Sequence, residues 1–339
     1  MTQNTLMPQN ILITGGTGFL GRHLALRMAH LGHAVTALGR NLAVGQNLQA
    51  AGIRFAQVDL LDQSQLIQAT RGADFVFHCA AQASPWGAYT TFHHVNVVGT
   101  QNVIDACKIA RVNRLIHVST PSIYFNGKSQ FQTSESAELP QKFANPYAET
   151  KHQAELLIDQ AYAEGLPVVT IRPRAIIGPH DTAIMPRVLR VLKKGWFPVF
   201  SGDACWVDLT CVENVVDALV LCMEAGPKIE GKKYNITNGE PLKIHDLVHT
   251  MAQHLGLKPR MIRIPYSLAY GLASLLESLA GNKEPLFTRY SLGLLGRSQT
   301  LDISAAKREL RYTPGKSIHQ GLQDYAIWWK TERNDRIGI

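Results

Sequence analysis

The chain has 339 residues, 45% of them apolar and 18% charged, a balance that excludes a disordered polypeptide. Lys and Arg outnumber Asp and Glu by 34 to 26, for a net charge of +8 with no basic run, which favours acidic small ligands over a nucleic-acid partner. Five scattered cysteines without C-x-x-C spacing argue against a disulfide framework or a thiol zinc site, and no metal is expected. The start, MTQNTLMPQN, lacks a signal-peptide pattern, and no apolar run is long enough to span a membrane, so a cytoplasmic protein is expected.

In chain order, NILIT (10–14) reads as a buried strand and 18–31 as a helix that stops at Gly32. AVTAL (34–38) and 53–58 read as further strands, followed by a short helix over 63–69. DFVFH (74–78) is a fourth strand, 88–110 a long helix and RLIHVS (114–119) a fifth strand. A strong helix over 146–162 carries proline in its first turn, where the missing N–H costs nothing, and PVVTIR (167–172) is a sixth strand. This alternation predicts an α/β Rossmann-type fold, a doubly wound parallel sheet with a smaller, mixed C-terminal substrate lobe. We place the nucleotide-binding domain at 1–174, with a segment near 203–225 returning to it. The substrate lobe spans 175–331, and 332–339 forms a polar tail.

After the first strand comes Gly15-Gly16-Thr17-Gly18-Phe19-Leu20-Gly21, a G-x-x-G-x-x-G loop opening a helix. Glycines there let the backbone turn and approach a pyrophosphate held at the helix N-terminus. The order strand, loop, helix raises this above a chance glycine triplet. A binder of NAD(H) usually carries an acid at the end of the second strand, to bond the ribose 2′-hydroxyl. Here the chain reads Leu38-Gly39-Arg40, so a cation stands ready for a 2′-phosphate and NADP(H) is favoured, with NAD(H) left open. Asp59, with Leu60, would meet the adenine or cap the strand end.

Tyr147 and Lys151 stand at i and i+4 of the 146–162 helix, on one face. An ammonium beside a phenol favours the phenolate, so Lys151 is expected to lower the Tyr147 pKa. Tyr147 then exchanges a proton with an alcohol or ketone oxygen. Ser119, Thr120 and Ser122 lie at the C-terminal end of the fifth strand, where ligands of such sheets bind, or they cap a turn.

The ordered set GGTGFLG, HCAA (78–81), NVVGT (96–100), STPSIY (119–124), YAETK (147–151) and RPRAIIGP (172–179) resembles an extended short-chain dehydrogenase/reductase over most of the chain. The resemblance implies Thr120, Tyr147 and Lys151 as catalytic residues. It implies a cofactor site of Gly15, Thr17, Gly18, Phe19, Leu20, Gly21, Arg40, Asp59, Leu60, Ala80, Ala81, Asn96, Ser119, Tyr147, Lys151 and Pro173. Within that superfamily the chain resembles the 3β-hydroxysteroid dehydrogenase/isomerase family. Its segments VDLTCVENVVDAL (207–219), YNITNGEPL (234–242) and IPYSLAYGLASLLESLA (264–280) are similar to sterol-4α-carboxylate 3-dehydrogenases. PWGAY (85–89), NVVGTQNVIDAC and STPS are similar to bacterial 2-alkyl-3-oxoalkanoate reductases of olefin biosynthesis. The resemblance implies a lipid-like β-hydroxy or β-keto acid, or a 3β-hydroxysteroid, and a homodimer through the helices of 88–110 and 146–162.

Trp86 and Tyr89 are candidates for an apolar pocket wall, or for core. Arg174, His180 and Arg187 lie beyond the sixth strand, each either a solvated or structural group or the partner of a substrate carboxylate, which the fork of an arginine suits. Residues 264–280 form either a helix packed on the small lobe or an interfacial lid that touches a membrane. Two other readings stay open: a sugar-nucleotide epimerase, against which Pro121-Ser122 exclude only dehydratase chemistry, and a non-catalytic dinucleotide sensor.

Overall fold

A computed structural model describes residues 7–200, 205–281, 285 and 287–337, with side chains through 332. Its main sheet has seven strands. These are β1 (Asn10–Thr14), β2 (Ala34–Gly39), β3 (Arg54–Gln57), β4 (Phe75–His78), β5 (Arg114–Val118), β6 (Val168–Pro173) and β7 (Lys233–Ile236). They run all parallel in the order β7-β6-β5-β4-β1-β2-β3. Chain order reverses between β1 and β4, which opens a crevice at the carboxyl edge of the sheet. β1 and β6 are buried on both faces because helices cover both faces. On one side Leu24 and Met28 of helix Phe19–His30 meet Val212, Val216 and Leu219 of helix Val212–Glu224. On the other, Leu66, Val103, Ile104 and Ile158 close over Leu12, Val76 and Leu115.

Helix Leu42–Ala50 and β7 are among the elements not predicted. Helix Leu42–Ala50 is capped by Asn41, whose side chain accepts from Val44 N, but its weakly patterned residues gave no period to read. β7 has only a short apolar core, and it is a strand because β6 offers it a free edge. The helix predicted over 88–110 is continuous but not uniform. It runs Tyr89–His93, then a π-helical turn His94–Val98, then Gly99–Ala110. The wider turn swings Asn96 inward, and the Asn96 carbonyl accepts from Thr100 Oγ1 at 2.6 Å.

The second lobe gathers around Met185, Leu189, Phe197, Leu247, Met251 and Tyr325. It carries three small sheets, the largest joining Leu242–Lys243, Trp206–Val207, Gln299–Leu301 and Gln130–Thr133. The polar tail expected from 332 is instead helical as far as Ile337, within helix Ile318–Ile337, and 338–339 lie outside the described residues. Helix Tyr266–Leu279 buries only Ala273 and exposes Leu268, Leu272, Leu275 and Leu279 on one stripe. Among the described residues no helix is long and apolar enough to cross a membrane.

Candidate active site

The glycine loop is built by close approach. Gly15 has φ +67°, and a Cβ on it would stand 2.7 Å from the backbone of Ala80. A Cβ on Gly21 would stand 2.2 Å from the Gly15 carbonyl, so the loop folds flat onto the helix start. Gly18 N donates to Gly15 O at 2.8 Å. Gly18 is the N-cap of helix Phe19–His30, makes no side-chain cap, and no acid occupies the first turn. The helix start therefore presents backbone N–H groups and positive potential at the sheet's carboxyl edge. Leu20 is buried in the core behind it, and Phe19 packs edge-on against His23.

Gly39 occupies the end of β2 where an acid is usual. A Cβ there would lie 2.2 Å from Thr17 Oγ1, so a side chain would fit only if the threonine moved. The adjacent Arg40 is exposed. Asp59 is also exposed, and its carboxylate accepts from Leu61 N at 3.0 Å, the strand-end cap of the two roles considered. Leu60 packs under Gly99, Ala80 and Ala81 follow β4, and Pro173 is buried at the end of β6.

Asn145 caps the helix Pro146–Ala163, accepting from Ala148 N at 2.8 Å, and Pro146 fixes its first turn. This sets Tyr147 in the first turn, where the Thr120 hydroxyl acts on its phenol. Thr120 Oγ1 donates to Ser122 Oγ at 3.0 Å, and Ser122 Oγ meets Tyr290 Oη at 2.9 Å. The structure thus brings Thr120, Ser122 and Tyr147 together and adds Tyr290, which lies 143 residues from Tyr147 and left no local signal.

Lys151 corrects an expectation. Its ammonium does not lower the Tyr147 pKa. Burial pushes that phenol up to about 12, opposed by the Thr120 hydrogen bond. The reason is geometric: Lys151 Nζ donates to Val118 O at 2.7 Å and stands 3.4 Å from His117 Nε2. Burial in turn pushes Lys151 down to about 8 and holds His117 and His78 well below the usual histidine range. His78 bridges Thr14 Oγ1 at 2.7 Å and Thr100 Oγ1 at 3.0 Å, a neutral polar seam beneath the site.

Two further expectations are corrected. Asn96 is buried with both amide hydrogens committed, to Gln82 O at 3.2 Å and Thr150 Oγ1 at 3.0 Å, while its oxygen accepts from Gln82 N. It ties the loop after β4 to the Tyr147 helix and has no N–H left for a dinucleotide. Tyr89 is exposed and bonds Gln153 on the outer face of that helix, and Trp86 is half-buried in its own loop. Neither lines the main cleft.

That cleft, about 710 Å³, opens beside Tyr290. Its walls are the rings of Phe125, Phe143, Tyr266 and Tyr270, brought from two distant stretches of chain. Arg289 and Arg297 line it too, and Arg174 lies buried near Tyr290. Of the other two cations considered, Arg187 Nη1 donates to Ala183 O, and His180 stacks edge-on with Trp328. Ser119 is buried, facing Glu155.

A 2-alkyl-3-oxoalkanoate reductase of Shewanella oneidensis is 35% identical over 327 residues, covering 92% of this chain and 84% of that protein. A 4-hydroxy-2-methyl-3-oxo-4-farnesyl-3,4-dihydroquinoline-1-oxide ketoreductase of Stigmatella aurantiaca is 34% identical, covering 91% and 93%. The sterol-4-alpha-carboxylate 3-dehydrogenase, decarboxylating, of Mus musculus is 29% identical, covering 95% and 91%. Among solved structures, UDP-glucose 4-epimerase of Thermotoga maritima superposes with TM-score 0.77 at 22% identity over 96% of this chain and 99% of that one, which shows a shared fold. The family model for the NAD dependent epimerase/dehydratase family matches residues 11–237, and the chain belongs to that family.

Proposed function

We propose that this protein is a ketoreductase, interconverting a ketone and a secondary alcohol on a β-keto or β-hydroxy carboxylate with large apolar substituents, with NADP(H) preferred. The observation that carries the reading is the hydroxyl chain Thr120–Ser122–Tyr290, which adjoins the buried Tyr147 phenol at one end and an aromatic-walled cleft at the other. The relatives' names support the substrate class. In a 2-alkyl-3-oxoalkanoate and in a sterol 4-carboxylate acted on at carbon 3, the carboxyl sits one carbon from the oxygen-bearing carbon.

The glycine loop fits a dinucleotide, because the Gly15–Ala80 approach and the uncapped helix start leave space and N–H donors for a pyrophosphate. Gly39 and Arg40 favour a 2′-phosphate over a bare ribose hydroxyl. A bound reduced nicotinamide supplies the hydride. Thr120 and Tyr147 hold the substrate oxygen, and Tyr147 passes its phenolic proton to that oxygen as negative charge develops. A pKa pushed up to about 12 keeps the phenol protonated at neutral pH, the state an acid needs in the reductive direction. Lys151, beside Val118 O, would hold the nicotinamide ribose of a bound cofactor. A sugar-nucleotide epimerase has the shared fold and the family membership in its favour, but the relatives that cover most of this chain at 34–35% identity are named as reductases of oxo substrates.

Exposed Ile109, Leu156 and Tyr162 on the two long helices support a homodimer through that face. The leucine stripe of helix Tyr266–Leu279, whose other side lines the cleft, supports contact with a membrane surface. The test is oxidation of NADPH and NADH with a 2-alkyl-3-oxo acid, beside a UDP-hexose. We expect turnover with NADPH and the acid, and a loss of ~10²–10⁴-fold in kcat in Tyr147→Phe with NADPH binding retained. Full turnover in that variant, or turnover with the UDP-hexose alone, would refute the reading.

A further inference from the structure

The Thr120 hydroxyl has one hydrogen and two claims on it. A threonine hydroxyl offers a single donor and two acceptor lone pairs. One lone pair accepts from Ser122 N at 3.1 Å, which caps the short turn Pro121–Tyr124. The hydrogen goes to Ser122 Oγ at 3.0 Å. A ketone oxygen that gains negative charge needs that same hydrogen. Thr120 and Ser122 are only 6% and 7% exposed, so water does little to compensate Ser122 when the hydrogen is withdrawn.

Tyr290 offers a replacement. Its hydroxyl stands 2.9 Å from Ser122 Oγ, where either oxygen can donate, and its half-buried ring lines the cleft. The fold fixes it from two sides. Helix Arg289–Gly296 starts at a capping box, in which Thr288 Oγ1 accepts from Ser291 N at 2.9 Å and Ser291 Oγ accepts from Thr288 N at 2.8 Å. Gly293 brings that helix flush against Phe125, because a Cβ there would stand 2.3 Å from the Phe125 ring. The same ring meets Tyr290 edge-on, with centroids 5.7 Å apart. Thr120 and Phe125 flank one turn, so the turn that holds the reacting hydroxyl also holds Tyr290 in register with Ser122. We propose that Tyr290 is a positioning residue of the reaction: by donating to Ser122 it replaces the hydrogen bond that Thr120 gives up, and so frees the Thr120 hydroxyl for the substrate oxygen. This role rests on the ketoreductase reading. The exchange breaks no covalent bond and moves no charge. Ser122 Oγ accepts a hydrogen before and after it, which keeps the cost of turning Thr120 small.

The experiment measures kcat and KM for NADPH-dependent reduction of a 2-alkyl-3-oxo acid in wild type, Tyr290→Phe, Ser122→Ala and the double variant. Phenylalanine keeps the ring against Phe125 and removes only the donor. We expect Tyr290→Phe to lower kcat by ~10-fold. KM for the acid should stay within about twofold, because the substrate oxygen is fully charged only in the transition state. Ser122→Ala removes the group that competes for the Thr120 hydrogen and leaves the backbone cap in place. The double variant should therefore be faster than Tyr290→Phe and about equal to Ser122→Ala alone. An unchanged kcat in Tyr290→Phe, or a double variant as slow as Tyr290→Phe or slower, would overturn the role, since a loss of packing acts equally with serine or alanine at 122. Should Tyr290→Phe not fold, Tyr290→Leu is judged by the same rescue. Wild-type protein that binds NADPH and reduces no oxo acid refutes the ketoreductase and this role with it. Turnover that Tyr147→Phe abolishes, with additive losses at 122 and 290, refutes the role of Tyr290 alone.

Discussion

Replacing Glu155 with Gln removes the charge at the centre of the clamp that ties the Tyr147 helix to β6. Arg172 donates Nε to Oε1 at 2.8 Å and Nη2 to Oε2 at 2.5 Å, and Lys233 Nζ stands 3.2 Å from Oε2. Arg172 also donates to the Tyr124 hydroxyl, beside the Thr120 turn. The Arg172 and Glu155 side chains are 4% and 1% exposed. Burial alone would raise the Glu155 pKa, but the hydrogen bonds and charge of Arg172, with Lys233, overcome it and hold the carboxyl at about 2, against 4.5. At ~1.36 kcal/mol per pKa unit, that difference corresponds to ~3 kcal/mol at neutral pH. It is of the same order as the ~3–5 kcal/mol lost when one partner of a buried pair is removed. Because the folded value is depressed, the stabilisation is fully present above pH 4.5 and is lost as pH falls towards 2. We therefore expect Glu155→Gln to lower unfolding free energy by ~3 kcal/mol at pH 7, with the gap to wild type narrowing as pH falls below 4.5. Urea titrations from pH 7 to pH 3 measure both quantities. A loss below ~1 kcal/mol at pH 7, the worth of an exposed pair, or a gap that stays constant with pH, would refute the reasoning.

Gly15→Ala places a methyl 2.7 Å from the Ala80 backbone at a φ of +67°, so NADPH binding should be lost and Tm should fall by several degrees. A fluorescence titration and a thermal melt check it. Arg40→Ala should raise KM for NADPH by about tenfold and leave KM for NADH nearly unchanged, if the exposed guanidinium meets a 2′-phosphate. Steady-state kinetics with both dinucleotides decide, and parallel changes in the two would remove Arg40 from the site. Leu272→Glu with Leu275→Glu should abolish flotation with anionic phospholipid vesicles while leaving Tm within about a degree, because both side chains are largely exposed. Wild-type protein that fails to float would end the membrane reading.

Short-range signals carried much of the molecule. The glycine loop, the apolar strands and the Asn145-Pro146 helix start are legible because each depends on residues adjacent in the chain. They place the sheet, the crevice and the Tyr147–Lys151 face. The absence of an acid after β2 was legible too. Its cause, Thr17 filling the space beside Gly39, was not, because that contact joins two turns.

Long-range packing decided the rest. Tyr89 reads as a pocket wall from its neighbours, yet the pitch of its helix turns it onto Gln153. Lys151 reads as the partner of Tyr147, yet the carbonyl of Val118 captures it, and burial rather than a cation sets the phenol's pKa. The cleft itself joins residues 125–144 to 266–297, far apart in the chain. The sequence alone determined the glycine-loop crevice and the shared face of Tyr147 and Lys151. Only the tertiary structure decided which groups surround them and how burial shifts their pKa values, because desolvation depends on groups far apart in the chain.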